Sequence, residues 1–158
     1  MKEFSHLDPK GNPSIVDISE KKVTKRSARA RSVVVLGGEV MKLLEGNDIV
    51  TRKGPVFQTA IIAGTMAAKR TDDLIPLCHS LGLENCQITI VTRGHDAIID
   101  CHVVTEGKTG VEMEALVGAS VAALTIYDMC KAISHDIVIS ETKLMEKTGG
   151  KHDFRRDD

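Results

Sequence analysis

Aromatic side chains are almost missing from this chain of 158 residues: it has no Trp, one Tyr and three Phe, 3% in all. Any core is therefore aliphatic, and the 42% hydrophobic share, carried by Ala, Val, Ile, Leu and Met, is enough to build one. An excess of charge of either sign is also missing. With 21 Lys+Arg against 22 Asp+Glu, a net charge of -1, the chain lacks the basic surface that a general nucleic-acid binder needs. A local basic pocket for a phosphorylated small molecule stays open. Met1 is not followed by a basic segment and an apolar h-region, so no signal peptide is visible, and no uncharged run reaches membrane-spanning length. The four cysteines, Cys78, Cys86, Cys101 and Cys130, show no framework spacing and read as reduced, mostly buried thiols of a cytoplasmic protein. No internal repeat or linker divides the chain. One domain over residues 1–158 is expected, with the Pro/Gly/Asn-rich stretch 1–13 and the polar tail 148–158 as mobile ends.

What is present is a clear alternation of patterns. Residues 15–18 suit a brief strand. Residues 26–36 alternate and then turn β-branched, which predicts a strand carrying Arg29 and Arg31 on one face. Gly37-Gly38 breaks it, and 39–45 reads as a short helix ended by Gly46. Pro55, a residue favoured at the first helical position, opens a helix through residue 70 with Lys69 and Arg70 in its last turn. Residues 71–83 read as a loop around Pro76. Residues 87–92 and 97–104 form a hairpin across the turn 93–96. A helix over 110–134 and a strand over 137–144 follow. The β-α-β-β-α-β order predicts an α+β fold, a ferredoxin-like sandwich with helices on one face of an antiparallel sheet. The other face needs a cover. Ala28, Ala30, Val34, Ile88, Ile90, Ile98 and Val103 offer apolar surface, which predicts packing against another copy and hence an oligomer.

The long helix holds the chemistry. It is apolar through its middle, with Glu112 and Glu114 at its start and Asp128 and Lys131 near its end. Asp128 and Lys131, three apart, share a face. They are either a simple helix ion pair or a catalytic pair. The apolar residues around them suggest partial burial, where a lysine can lose its proton near neutral pH. Glu112 and Glu114 suit the first turn through the helix dipole alone. Glu114 and Asp128 lie ~21 Å apart on a continuous helix, too far for one small-molecule pocket. Either they serve different sites, or two subunits build one pocket.

Elsewhere, Lys53 precedes Gly54-Pro55 at an expected helix N-terminus, a natural anion site. Taken singly, Arg26, Lys69 and the other basic residues default to solvated surface charge. Gly107-Lys108-Thr109 resembles the end of a phosphate-binding loop, but His102 stands where that motif needs its first Gly, so these residues read as a strand-to-helix connection. Cys78-His79 and Cys101-His102 have the wrong spacing for structural zinc, and in a strand Cys101 and His102 face opposite ways; no metal site is expected. His79 lies on a loop, where binding residues gather.

The blocks KGPVF, AAKRT, LIPLCH, GVEMEAL, ALTIYDMCKA and KTGGK, spread over residues 16–151, closely resemble the molybdenum cofactor biosynthesis protein C family, the cyclic pyranopterin monophosphate synthases. The resemblance implies a phosphorus-oxygen lyase that converts 3′,8-cyclo-7,8-dihydroguanosine 5′-triphosphate, handed over by an upstream radical SAM GTP cyclase, to cyclic pyranopterin monophosphate and diphosphate. It implies a ferredoxin-like fold in a homo-hexamer, a trimer of dimers with sites between subunits. It also implies catalytic roles for Asp128, Lys131 and Lys53. Substrate contacts are implied for Leu77, Cys78 and His79, for Glu112, Met113 and Glu114, and for Lys69 and Arg26 as phosphate-binding positions. Ser80 departs from the family pattern, which usually has Pro after the His, and so leaves this loop less stiff. The rearrangement is redox-neutral and implies no cofactor, beyond Mg²⁺ that can accompany the triphosphate; neither nucleic acid nor membrane is implied as a partner. A non-catalytic nucleotide-binding regulatory module on the same fold, and a zinc-stabilised interaction protein, are the other readings weighed.

Overall fold

The computed structural model of the chain describes residues 5–157. Residues 1–4 of the expected N-terminal arm and residue 158 of the expected tail lie outside the described residues. Period-two patterning forms β1 (Thr24–Val35), in which Ala28, Ala30, Ser32 and Val34 are buried and Arg29 and Arg31 face the other way. The helix after it, α1 (Gly37–Met41), stops short of the expected 39–45. Instead β2 (Leu44–Glu45), β3 (Asp48–Thr51) and β4 (Gly54–Pro55) make a small three-stranded sheet. Gly46, at φ +61°, supplies the left-handed turn between β2 and β3 that other residues adopt only at a cost.

The first long helix, α2 (Val56–Ala68), starts directly after Pro55 and ends before Lys69 and Arg70. A single turn, α3 (Thr71–Leu74), occupies the start of the expected loop. The expected hairpin is present as β5 (Asn85–Arg93) and β6 (Asp96–Gly107), each longer than its apolar run. The helix α4 (Glu112–Cys130) follows, then β7 (Val138–Thr148) and β8 (Phe154–Arg155). Residues 15–18 form no strand. The tail is not wholly unstructured, because Phe154 and Arg155 pair with Lys147 and Glu146.

The main sheet runs β5-β6-β1-β7-β8 with every neighbouring pair antiparallel. The two long helices, α2 and α4, pack on each other and over one sheet face, giving a mixed α+β fold. They approach closely because glycines meet at the crossing. A Cβ on Gly64 would stand 2.6 Å from the Gly118 carbonyl oxygen, and one on Gly118 would stand 2.6 Å from Cys101 Sγ. By length and composition α4 is apolar enough to cross a membrane; here it is the core helix, with Ala115, Ala119, Ala122, Ala123 and Ile126 buried.

One expectation is overturned by register. Ala28, Ala30, Val34, Ile88, Ile90 and Val103 do not cover the far face of the sheet. The pairings Ala28↔Val103, Ala30↔Cys101, Ile88↔Cys101 and Ile90↔Ile99 put them on the helix side, in or against the core. Of the residues named, only Ile98 shares the far face. That face instead carries Asp100, which takes Arg31 at 2.8 Å and Arg29 at 3.2 Å. The named residues on the helix side therefore give no argument for a second copy; on the far face Ile98 lies between Val33 and the half-exposed Val91.

Candidate functional site

Asp128 and Lys131 lie at the C-terminal end of α4, one helical turn apart, and Lys131 Nζ reaches Asp128 Oδ1 at 2.7 Å. Lys53 arrives from the turn between β3 and β4. Its Nζ stands 3.5 Å from Asp128 Oδ2 and 3.4 Å from the Asp128 carbonyl. Helix geometry dictates the first contact; the second depends on where the small sheet is held. Asp48 holds it. Its carboxylate accepts the N–H of Phe57 at 2.7 Å and of Gln58 at 3.1 Å, so it caps the first turn of α2 and welds that turn to β3. The anion expected at this helix N-terminus is thus the chain's own carboxylate. Nothing in the sequence pattern singled out Asp48; its cap acts across a gap of nine positions rather than from the N-cap itself.

The electrostatics of this trio differ from the expectation. Lys131 is 53% exposed, Lys53 55% and Asp128 57%. The hydrogen bond and charge of Asp128 raise the Lys131 ammonium above its usual range, and Lys131 in turn, followed by Lys53, holds the Asp128 carboxyl below the carboxylate range. Lys131 is therefore a committed cation in this chain. The expected partial burial does not occur: all three groups stand more than half exposed at the rim of the fold. Beside Lys53 lies an apolar cleft of about 400 Å³ with Leu43, Val50, Met129 and Ile133 in its walls.

The other end of α4 forms a second cavity, of about 200 Å³. Leu77, Cys78 and His79 from the loop after α3 meet Glu112, Met113 and Glu114 there. His6, Leu81 and Gly110, which no sequence signal marks as binding positions, also line it, as does Thr109 of the strand-to-helix connection. His79 Nε2 sits 2.7 Å from the Val16 carbonyl, and Lys108 Nζ donates to the Ser19 carbonyl at 2.7 Å; these contacts strap the chain before β1 alongside the cavity. Glu112 is paired with Lys147 of β7 at 3.1 Å. Glu114 is 5% exposed, and desolvation, helped by the charges of Glu112 and Asp72, pushes its carboxyl up to about 7. Burial raises the Cys78 thiol as well. A first-turn acid that the helix dipole would keep ionised is thus favoured in its neutral form by burial, for a reason that local sequence does not carry.

The structure brings the expected residues into two groups and leaves two others apart. Arg26 lies in a basic cleft with Lys21, Lys22 and Lys151, its Nε donating to the Gly107 carbonyl at 3.2 Å. Lys69 shares a further cleft with Thr65 and Cys86. The hydrogen bond with Cys101 lowers the Cys86 thiol below its usual range. All four cysteines are free thiols, Cys101 and Cys130 buried, Cys78 and Cys86 half-buried. Among the described residues no group of three or more His, Cys, Asp or Glu is gathered to hold a metal ion.

Comparison with known proteins gives one consistent picture. The profile of the MoaC family matches residues 15–150. A "Molybdenum cofactor biosynthesis bifunctional protein" of Synechocystis is 55% identical over 95% of this chain, which spans 45% of that protein. The "Molybdenum cofactor biosynthesis protein 1" of Dictyostelium discoideum is 48% identical, and the match covers 94% of this chain and 26% of the relative. A "Cyclic pyranopterin monophosphate synthase" of Xanthomonas campestris is 53% identical over 96% of this chain and 92% of its own length. The chain thus spans less than half of the two longer relatives and nearly all of the third.

Proposed function

This chain belongs to the MoaC family, and on that premise we propose that it is a cyclic pyranopterin monophosphate synthase. It would convert 3′,8-cyclo-7,8-dihydroguanosine 5′-triphosphate, the product of an upstream radical SAM GTP cyclase, to cyclic pyranopterin monophosphate and diphosphate, as a phosphorus-oxygen lyase of the cytoplasm. The observation that carries the reading is the convergence of Lys53 and Lys131 on Asp128. Cyclisation requires a ribose hydroxyl to attack the α-phosphorus and diphosphate to leave. Negative charge grows on the leaving oxygens, and two fixed ammonium groups lower that barrier electrostatically. Asp128 orients them until substrate phosphates compete for them.

Opening a purine-derived ring and reclosing it as a pterin needs proton transfers. Glu114, at about 7, can both give and take a proton at working pH. Leu77, Cys78, His79, Glu112 and Met113 shape its cavity around the base; Arg26 and Lys69 contribute phosphate contacts. Mg²⁺ would travel with the triphosphate, since no carboxylate trio of the described residues is gathered for it, and no step here is routed through it.

The strand order β5-β6-β1-β7, joined through α2 and α4, supports reading the fold as a ferredoxin-like sandwich. The ~21 Å between the two ends of α4 supports an oligomer, a hexamer built as a trimer of dimers, in which the lysine end of one subunit meets the Glu114 cavity of another. The test is incubation of purified protein with the upstream product, followed by assay for diphosphate and oxidised pterin. Wild type is expected to release both, and Lys131→Ala to release neither while melting as wild type does. Near-normal turnover by Lys131→Ala would defeat the assignment. Binding without diphosphate release by wild type would point to a regulatory module.

A further inference from the structure

The loop that carries Leu77, Cys78 and His79 is tied down by a bond outside the cavity. Ser80, the residue after His79, donates its hydroxyl to the Asp72 carboxylate. Asp72 is a firm partner because α3 is rooted in the core. Thr71 is buried, and its hydroxyl donates to the Ala68 carbonyl at the end of α2 at 3.0 Å. The Ile75 N–H donates to the Thr71 carbonyl at 2.9 Å. On the far side of the loop, the Thr105 hydroxyl donates to the Gly82 carbonyl at 2.6 Å. Between these two anchors the backbone does little for itself. Pro76 has no N–H, and the turn from the Cys78 N–H to the Ile75 carbonyl, at 3.1 Å, fixes only the beginning of the segment. The hydroxyl–carboxylate bond, charge-assisted and so stronger than a neutral one, closes the far side beside His79.

We propose that Ser80 and Asp72 form a positioning pair that sets where Cys78 and His79 stand against Glu112, Met113 and Glu114. The inference rests on reading that cavity as the substrate site. Ser80 makes no contact with the cavity, so it acts through the loop. Releasing it leaves the binding-competent loop only part of the time. Apparent affinity falls by the competent fraction, while turnover of bound substrate is untouched, because binding itself restores the geometry.

Ser80→Ala is therefore expected to raise KM about fivefold with kcat unchanged, the loss of a solvent-exposed hydrogen bond. In the protein without substrate, amide hydrogen exchange over residues 77–81 should quicken by a similar factor while β1 and β6 exchange as before. Ser80→Thr, which keeps the hydroxyl, should restore both readouts. Asp72→Ala also removes a charge that acts on Glu114, so it is compared by exchange alone: it should reproduce the exchange of Ser80→Ala, and the double variant should lose no more protection than either single one. Wild-type exchange and KM in Ser80→Ala would overturn the pair. So would failure of Ser80→Thr to rescue, additive losses in the double variant, or faster exchange throughout the sheet. Absence of diphosphate release from wild type would overturn the function proposed above, and the exchange comparison would still decide whether this tie holds the loop.

Discussion

Asp128 has an ammonium group on either side, and its charge gives the arrangement its order. Without it, two cations on neighbouring elements repel each other. Asp128→Asn keeps an oxygen and an amide of the same shape but removes the charge, so Lys53 and Lys131 should separate and kcat/KM should fall at least ~100-fold, read as diphosphate release. The pair is exposed, and exposed ion pairs add little to stability, so the melting temperature should not move. Glu114 behaves in the opposite way. Its folded-state value of about 7 lies above the 4.5 of an exposed glutamate, so the fold favours its neutral form. That contribution is present in full below about 4.5 and is lost as pH rises through about 7, an effect on the order of 3 kcal/mol. Glu114→Gln should therefore melt above wild type at pH 8 and close to it at pH 4.5, as followed by thermal denaturation across that range.

At the scale of elements, two contacts decide whether the site exists. Asp48 ties β3 to the first turn of α2. Asp48→Ala should cost about 1 kcal/mol, as loss of a helix cap does. Its effect on turnover should be larger than that cost implies, because the turn bearing Lys53 loses its anchor. Denaturant melts and diphosphate assays on the same variant separate the two. The second contact is the crossing of α2 and α4. Gly64→Ala improves helix propensity by ~1 kcal/mol, but the new methyl would stand 2.6 Å from the Gly118 carbonyl and equally close to Ile88 Cδ1. A backbone oxygen inside a core helix cannot swing aside, so overpacking, typically 1–3 kcal/mol, prevails. The melting temperature should fall by about 2–4 °C for each net kcal/mol lost. A rise would mean that the helices can part there without cost.

For the whole molecule the issue is that one continuous helix holds Asp128 and Lys131 at one end and Glu114 at the other. A single subunit cannot bring them together, and the shared site proposed above follows from that. If a site takes its lysines from one copy and its Glu114 cavity from another, co-expressing Lys53→Ala with Glu114→Gln, each inactive alone, should recover about a quarter of wild-type turnover, since random pairing unites two intact halves that often. No recovery in mixed assemblies would place the whole reaction within one chain and refute the shared site.

Local rules carried the reading a long way. Period-two and period-three-to-four patterns located β1, β5, β6, α2, α4 and β7 to within a few residues, and helical spacing alone put Asp128 beside Lys131. Those signals lie in neighbouring positions, where backbone geometry leaves little choice. The tertiary structure was needed wherever a long gap in sequence closes to a few ångströms. Lys53 meets Asp128 across 75 positions, Asp48 caps a helix it does not precede, and Ser80 finds Asp72 on another element. It was needed, too, for which sheet face the helices cover, and so for the burial that neutralises Glu114 and the exposure that keeps Lys131 charged. Solvent access is a property of the packed assembly of elements, and no single segment contains it.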